Sequence, residues 1–148
     1  MELVCKAFND LTVQELYEIL KLRVDVFVVE QNCPYEELDN RDLKAMHIYL
    51  KDEDGIIGYL RVMDRGIQFE DAVAIGRVVV KKRRQGFGTK LLEAGIRCAA
   101  EQMNAHRIRL EAQTYAVKLY ENAGFSICSE PFLEDGIPHV QMVMELKK

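Results

Sequence analysis

The sequence predicts a mixed α/β (α+β) domain. Three observations carry that expectation. Short strand-like segments early in the chain are separated by turn residues, as hairpins are. Later strand-like segments alternate with amphipathic helical ones, as crossovers are. The chain has 148 residues, 49% apolar and 30% charged, and shows no repeat, linker or low-complexity tract. Residues 1–148 therefore read as a single domain, able to bury roughly two-thirds of its unfolded surface.

The elements follow in order. Glu2 to Phe8 is the first strand. Thr12 to Glu15 fits a capping box, in which hydroxyl and carboxylate close a helix start. Val13, Leu16, Leu20, Val24 and Phe27 then recur at helical spacing and predict one buried face. Glu30 to Asp42 is polar, holds a proline, and reads as a loop. Met46 to Leu50 and Ile56 to Met63 are strands, and Asp54-Gly55 supplies the positive φ angles of the turn between them. Asp64-Arg65-Gly66 turns into an extended stretch ending in the β-branched Ile75 to Val80. Leu92, Ile96, Ala99 and Met103 mark an amphipathic helix. Arg107 to Ala112 is a strand. Tyr115 to Phe125 is a short helix closed by Gly124. "SICSE" and "HVQMVMEL" are two last strands joined by "EDGIP".

Composition removes several classes of function. No apolar run approaches the ~20 residues of a membrane helix, so no membrane partner is expected. The start, "MELVCKAFND", lacks the basic and apolar regions of a signal peptide. Cys5, Cys33, Cys98 and Cys128 form no CxxC, which argues for reduced thiols in a cytoplasmic protein and for no metal. A pI near 5.5 argues against a nucleic-acid partner.

One stretch departs from that acidic balance. Lys81 to Lys90, "KKRRQGFGTK", holds five cations around Gly86 and Gly88. The chain is net −4 at pH 7, and −9 with those five set aside. The stretch joins a strand to a helix, whose first N–H groups are unpaired and attract anions. A concentrated polyphosphate explains such a cluster better than a nucleic-acid backbone, which wants a broad basic face. The order Gly88-Thr89-Lys90 is not that of a Walker loop, and Leu91 stands where a dinucleotide fingerprint needs its third glycine.

Arg83, Gly86 and Gly88 nevertheless keep a spacing of Arg, two residues, Gly, one residue, Gly, after an extended segment. This resembles the coenzyme-A loop of the GNAT superfamily of N-acetyltransferases. Ala116, Leu119, Tyr120, Glu121, Gly124 and Phe125 resemble a second motif of that family. The stretches from Leu22 to Asp42 and from Phe132 to Met142 are similar to its ElaA-like subgroup. The resemblance implies a central, mostly antiparallel sheet of six or seven strands, flanked by about four helices and splayed at the acyl-CoA strand. It implies acetyl-CoA as cosubstrate and an unidentified amine as acceptor. Val78 and Val80 would bond the pantetheine arm. Arg84, Gln85, Gly86, Phe87, Gly88 and Thr89 would line the pyrophosphate, and Arg83 would also bind the cofactor. Gln113 would touch the cofactor, and the N–H of Val79 or its neighbour would polarise the thioester carbonyl. Tyr120 would contact coenzyme A and protonate the departing thiolate. Relatives often dimerise, which leaves a homodimer open.

No nucleophile signature is present, which favours direct attack by the amine over a covalent enzyme intermediate. Glu30 and His139 are the base candidates, with Glu111 and His47 behind them; a lone His47 is more often structural. Glu36, Glu37 and Asp39 would attract a cationic amine. The alternative function is a coenzyme-A or polyphosphate sensor without turnover.

Overall fold

A computed structural model describes residues 1–81 and 85–146. Among the described residues, eight strands form one sheet: β1 (Glu2–Ala7), β2 (Met46–Asp52), β3 (Gly55–Met63), β4 (Val73–Val80), β5 (Arg107–Gln113), β6 (Ser126–Ile127), β7 (Phe132–Glu134) and β8 (Ile137–Glu145). Their order is β1-β2-β3-β4-β5-β8-β6, with β7 paired to β8. Every pairing is antiparallel except β4 with β5. The count exceeds the expected six or seven because Phe132–Glu134 folds back on β8 around Asp135-Gly136, both at positive φ. The "EDGIP" turn thus closes its own hairpin instead of joining two distant strands.

Three α-helices are described: α1 (Val13–Arg23), α2 (Phe87–Gln102) and α3 (Val117–Ala123). The expected capping box opens α1: the Glu15 N–H donates to Thr12 Oγ1 (3.0 Å) and the Thr12 N–H donates to Glu15 Oε1 (2.8 Å). The buried face of α1 is not the expected one. Val13 is 88% exposed, whereas Ile19, Leu22 and Arg23 are buried. Two causes act. Ile19 and Leu22 seat the helix on Tyr49, Ile56, Tyr59 and Val79. From Val24 to Glu30 the helix widens to π geometry, which shifts the phase of Val24 and Phe27. In the early hairpin only Gly55 has positive φ; Asp54 does not.

The sheet separates two apolar layers. α2 and α3 cover one face through Leu91, Leu92, Cys98, Ala99 and Tyr120, packed on Ile48, Leu60, Ile75, Leu110 and Met142. Gly95 lets α2 approach closely, since a Cβ there would sit 3.2 Å from Ile75 and Leu60. α1 covers the other face. Strand β5 alternates strictly: Ile108, Leu110 and Ala112 are buried under the helices, which turns Arg109, Glu111 and Gln113 to the opposite face. Among the described residues, no helix is long and apolar enough to cross a membrane.

Candidate active site

Strands β4 and β5 pair at only two positions, Val73 with Ile108 and Ala74 with Arg109. Beyond Ala74 they part. The cause lies on the other edge of β4. Gly76 pairs with Arg61 and Val79 with Tyr59, so Arg77 and Val78 together oppose Leu60. This bulge puts Arg77 at φ +54°, a conformation that costs a side-chain-bearing residue about 1–2 kcal/mol. The Arg77 Nε donates to Glu37 Oε2 (2.7 Å) and its Nη2 to the Glu37 carbonyl (3.1 Å). Its guanidinium also lies 5.5 Å from the Tyr35 ring centroid.

The bulge determines which amides are free. The Lys81 N–H donates to the Ile57 carbonyl of β3 (2.6 Å). Antiparallel residues alternate in direction, so Val79 also bonds toward β3, and the backbone groups of Val78 and Val80 face the gap beside β5. Val78 and Val80 therefore present their backbone groups away from β3. The Val79 N–H is thus turned toward β3, and those of its neighbours toward the gap.

The glycine stretch ends in the start of α2. Gly86 is the N-cap, at φ +76°, and no side chain caps the helix. The first helical bond runs from the Lys90 N–H to the Gly86 carbonyl (3.2 Å). The N–H groups of Phe87, Gly88 and Thr89 thus have no helical acceptor, with Gln85 exposed just before them. Arg83 and Arg84 lie outside the described residues. The two glycines do different work. A Cβ on Gly86 would meet nothing within 4 Å, while one on Gly88 would sit 3.3 Å from Leu119 of α3. Gly86 serves the turn, and Gly88 lets the two motif-bearing helices touch. Gly86→Ala is expected to cost about 1–2 kcal/mol from backbone strain alone. Denaturant unfolding checks this, and an unchanged midpoint would contradict the strain.

A cavity of about 260 Å³ opens where β4 and β5 part. Tyr120, Glu111, Gln113, His139 and Val78 all line it. Tyr120 is only 8% exposed and packs edge-on against Phe125, with centroids 6.2 Å apart. Its hydroxyl makes no hydrogen bond among the described residues, and burial pushes its pKa up. Glu111 is held above the usual carboxylate range, first by burial and then by nearby Glu134, while Gln68 donates to it (3.3 Å). His139 lies across from Gln113 on β8. Its Nδ1–H donates to the Ile137 carbonyl (2.7 Å), and its Nε2 is 3.7 Å from Glu134 Oε2. Gln113 and Gln31 exchange amide hydrogen bonds of 3.0 and 3.3 Å across the cavity.

Two of the sequence candidates lie elsewhere. Glu30 lines an adjoining groove of about 520 Å³ with Val80 and Lys81. His47 is buried between the Tyr59 hydroxyl (2.6 Å) and the Asp42 carbonyl (2.9 Å), which is a structural role. The acidic loop also departs from expectation. Glu37 and Asp39 do not stand free for a cationic amine. Glu37 pairs with Arg23 (2.6 Å) and Arg77 (2.7 Å), and Asp39 with Arg61 (2.7 Å). Asp42 completes the network with Arg23 (2.8 Å) and Arg61 (2.9 Å). Arg23, Arg61, Arg77, Gln31 and Gln68 escaped sequence reasoning. The one available signal was Arg23 itself, a cation inside a helical stripe, where a charge needs a buried partner.

A sheet splayed at one strand, with uncapped helix amides beside the splay, defines the fold of the acyl-CoA N-acyltransferases. The chain belongs to the GNAT acetyltransferase family, whose acetyltransferase (GNAT) domain matches residues 10–146, and within it to the ElaA-like subgroup. Protein ElaA of Escherichia coli is 35% identical over 142 residues, covering 93% of this chain and 92% of that one. Its crystal structure superposes with a TM-score of 0.88. An acyl-CoA N-acyltransferase from Pseudomonas aeruginosa superposes at 0.89, with 37% identity over 97% of this chain and 99% of that one. An acetyltransferase from Bacillus anthracis, solved with acetyl coenzyme A, shares the fold at a TM-score of 0.59 and 22% identity, over 70% of this chain and 64% of that one.

Proposed function

We propose that this chain is an N-acetyltransferase that moves the acetyl group of acetyl-CoA to a primary amine. The carrying observation is the Tyr120 hydroxyl, on a largely buried side chain and without a partner among the described residues, in the cavity beside the free edge of β4. The residues fit the cosubstrate. The amides of Gln85 to Thr89 suit its pyrophosphate. The backbone groups of Val78 and Val80 suit an extended pantetheine arm, with Gln113 on the opposite wall. Once bound, the cosubstrate supplies an activated acyl carbon and a thiolate leaving group.

The remaining steps belong to this chain. The amine must lose its proton to attack. Glu111, made more basic by burial, accepts it directly or through His139, whose Nδ1–H is fixed by Ile137 and whose Nε2 is thereby the free acceptor. A backbone N–H beside Val79 bonds the developing oxyanion of the tetrahedral intermediate. As the new N–C bond forms and the C–S bond breaks, Tyr120 gives its proton to the sulfur. Glu30 stands as the second candidate base, from the adjoining groove.

Mixing the protein with acetyl-CoA and an amine panel, and following thiol release, tests the reading. Saturable coenzyme-A binding without thiol release from any amine would instead favour a sensor. Glu111→Gln should lower kcat/KM and remove the acidic limb of its pH profile. It should also raise the melting temperature at neutral pH. A carboxyl whose folded pKa is raised favours folding at low pH and loses that contribution as pH rises through the folded value, so a charged Glu111 opposes folding at pH 7. A Glu111→Gln variant with full turnover, beside an inactive Glu30→Gln, would pass the role of base to Glu30.

A further inference from the structure

We propose that the acceptor is a short aliphatic amine carrying a second cationic centre, a di- or polyamine in class. Its reacting nitrogen would lie beside Glu111 and its distal cation among Glu36, Glu134 and Asp135. The inference rests on the acetyl-transfer reading above.

Part of the charge around the cavity is already matched. Arg23, Arg61 and Arg77 are held by Glu37, Asp39 and Asp42, three cations against three carboxylates. Among the described residues lining the cavity, Glu36, Glu111, Glu134 and Asp135 remain, against Arg41 alone. Arg41 is itself 3.9 Å from Asp39. Of the four carboxylates, Glu134 lies 3.7 Å from His139 Nε2, and Glu111 accepts from the Gln68 amide with Glu134, His139 and Arg41 also near it. The unmatched charge of the cavity is therefore negative. An acceptor with a carboxylate tail would face it unfavourably, and one with a neutral tail would leave it to solvent.

Depth divides these carboxylates into two groups. Glu111 is half-buried on β5, beside His139 and on the same cavity as Tyr120. Glu36, Glu134 and Asp135 are exposed and stand at the rim. The Cys33 thiol donates to the Asp135 carbonyl (3.5 Å), which brings the loop of Glu36 against the β7–β8 turn. Tyr115, 76% exposed, adds an aromatic face to the cavity wall, which suits methylenes or a cation. The volume of about 260 Å³ holds roughly nine groups of water size, enough for a short diamine. That the cavity receives a ligand at all stands on a separate observation, the Tyr120 hydroxyl. It belongs to a side chain more than nine-tenths buried, lines the cavity, and has no partner among the described residues.

Three amines matched in length separate the classes: putrescine with a cationic tail, butylamine with none, and γ-aminobutyrate with an anionic one. With acetyl-CoA and thiol release as the readout, kcat/KM should fall in that order. The first gap should be about tenfold, the size two partly exposed ion pairs supply, and it should narrow as salt is raised. Combining Glu36→Gln with Asp135→Asn should shrink the putrescine-to-butylamine ratio to within about twofold of unity. Equal or better turnover of butylamine or γ-aminobutyrate would overturn the proposal while leaving acetyl transfer intact. Should none of the three release thiol, calorimetry decides. Saturable putrescine binding to the protein loaded with coenzyme A, weakened in the double variant, would keep the cavity assignment and sink the transfer reading. No putrescine binding would overturn the proposal.

Discussion

Tyr120→Phe should lower kcat by roughly 10²-fold or more while leaving the coenzyme-A dissociation constant and the melting temperature nearly unchanged. The size is that of a general acid removed from a step whose leaving group needs a proton. The selectivity follows from the surroundings of the ring. Its packing is apolar, edge-on to Phe125 and against the layer under α2 and α3, and phenylalanine preserves it. The hydroxyl has no partner among the described residues, so its removal leaves no donor or acceptor stranded. Because burial raises the pKa of the phenol, it stays protonated across the working pH range and is always able to donate. Phenylalanine in its place should therefore scale the pH profile down without moving its limbs. Steady-state kinetics over pH, with calorimetry of coenzyme-A binding, checks all three statements. Full turnover would remove the acid, and a rise in KM with kcat little changed would recast Tyr120 as a binding residue.

The parts of the fold that sequence reasoning reached are those made by neighbours in the chain. The Thr12 capping box, the Gly124 C-cap, the strand before Lys81 and the helix after Gly86 are each set by residues within one or two turns. The two motifs could be read separately, but not their contact, because Gly88 meets Leu119 across 31 positions. The ion network is still less local. Arg77 reaches Glu37 across 40 positions and Arg23 reaches Asp42 across 19, and nothing in either neighbourhood marks the partner. That also explains the misread loop. Glu37 and Asp39 look like free carboxylates until β3 and β4 present Arg61 and Arg77 to them. Glu30 and Glu111 illustrate the same limit. Both are carboxylates at the end of an apolar run or in a strand, and only the parting of β4 from β5 puts Glu111 on the cavity with Tyr120 and Glu30 outside it.

The largest loss of stability should come from Arg61→Ala, about 3–5 kcal/mol, the cost of removing one partner from a buried charge network. Arg61 is 1% exposed. Its Nη1 donates to Asp39 Oδ1 (2.9 Å) and Asp42 Oδ1 (2.9 Å), and its Nη2 to Asp39 Oδ2 (2.7 Å). Its Nε is buried without a partner among the described residues, a smaller cost that the three charged bonds outweigh. Alanine would leave Asp39 short of its main partner and Asp42 with Arg23 alone. Lysine would not restore the network, because one ammonium cannot reproduce a two-sided fork. The pH dependence follows from the same pairs. Burial tends to raise both carboxyls, but their guanidinium partners overcome it and hold Asp39 and Asp42 below the usual carboxylate range. A depressed folded pKa contributes stability above the unfolded value, near 3.9, and that contribution is lost as pH falls through the folded value. Wild type and Arg61→Ala should thus differ most near neutral pH and converge below about pH 4. Chemical denaturation at several pH values reads the difference directly; a gap that stayed constant down to pH 3 would mean that the loss is one of packing volume and not of charge. Because Glu37 of this network also holds Arg77 in its strained turn, the variant should weaken coenzyme-A binding as well, through a bulge no longer fixed in place.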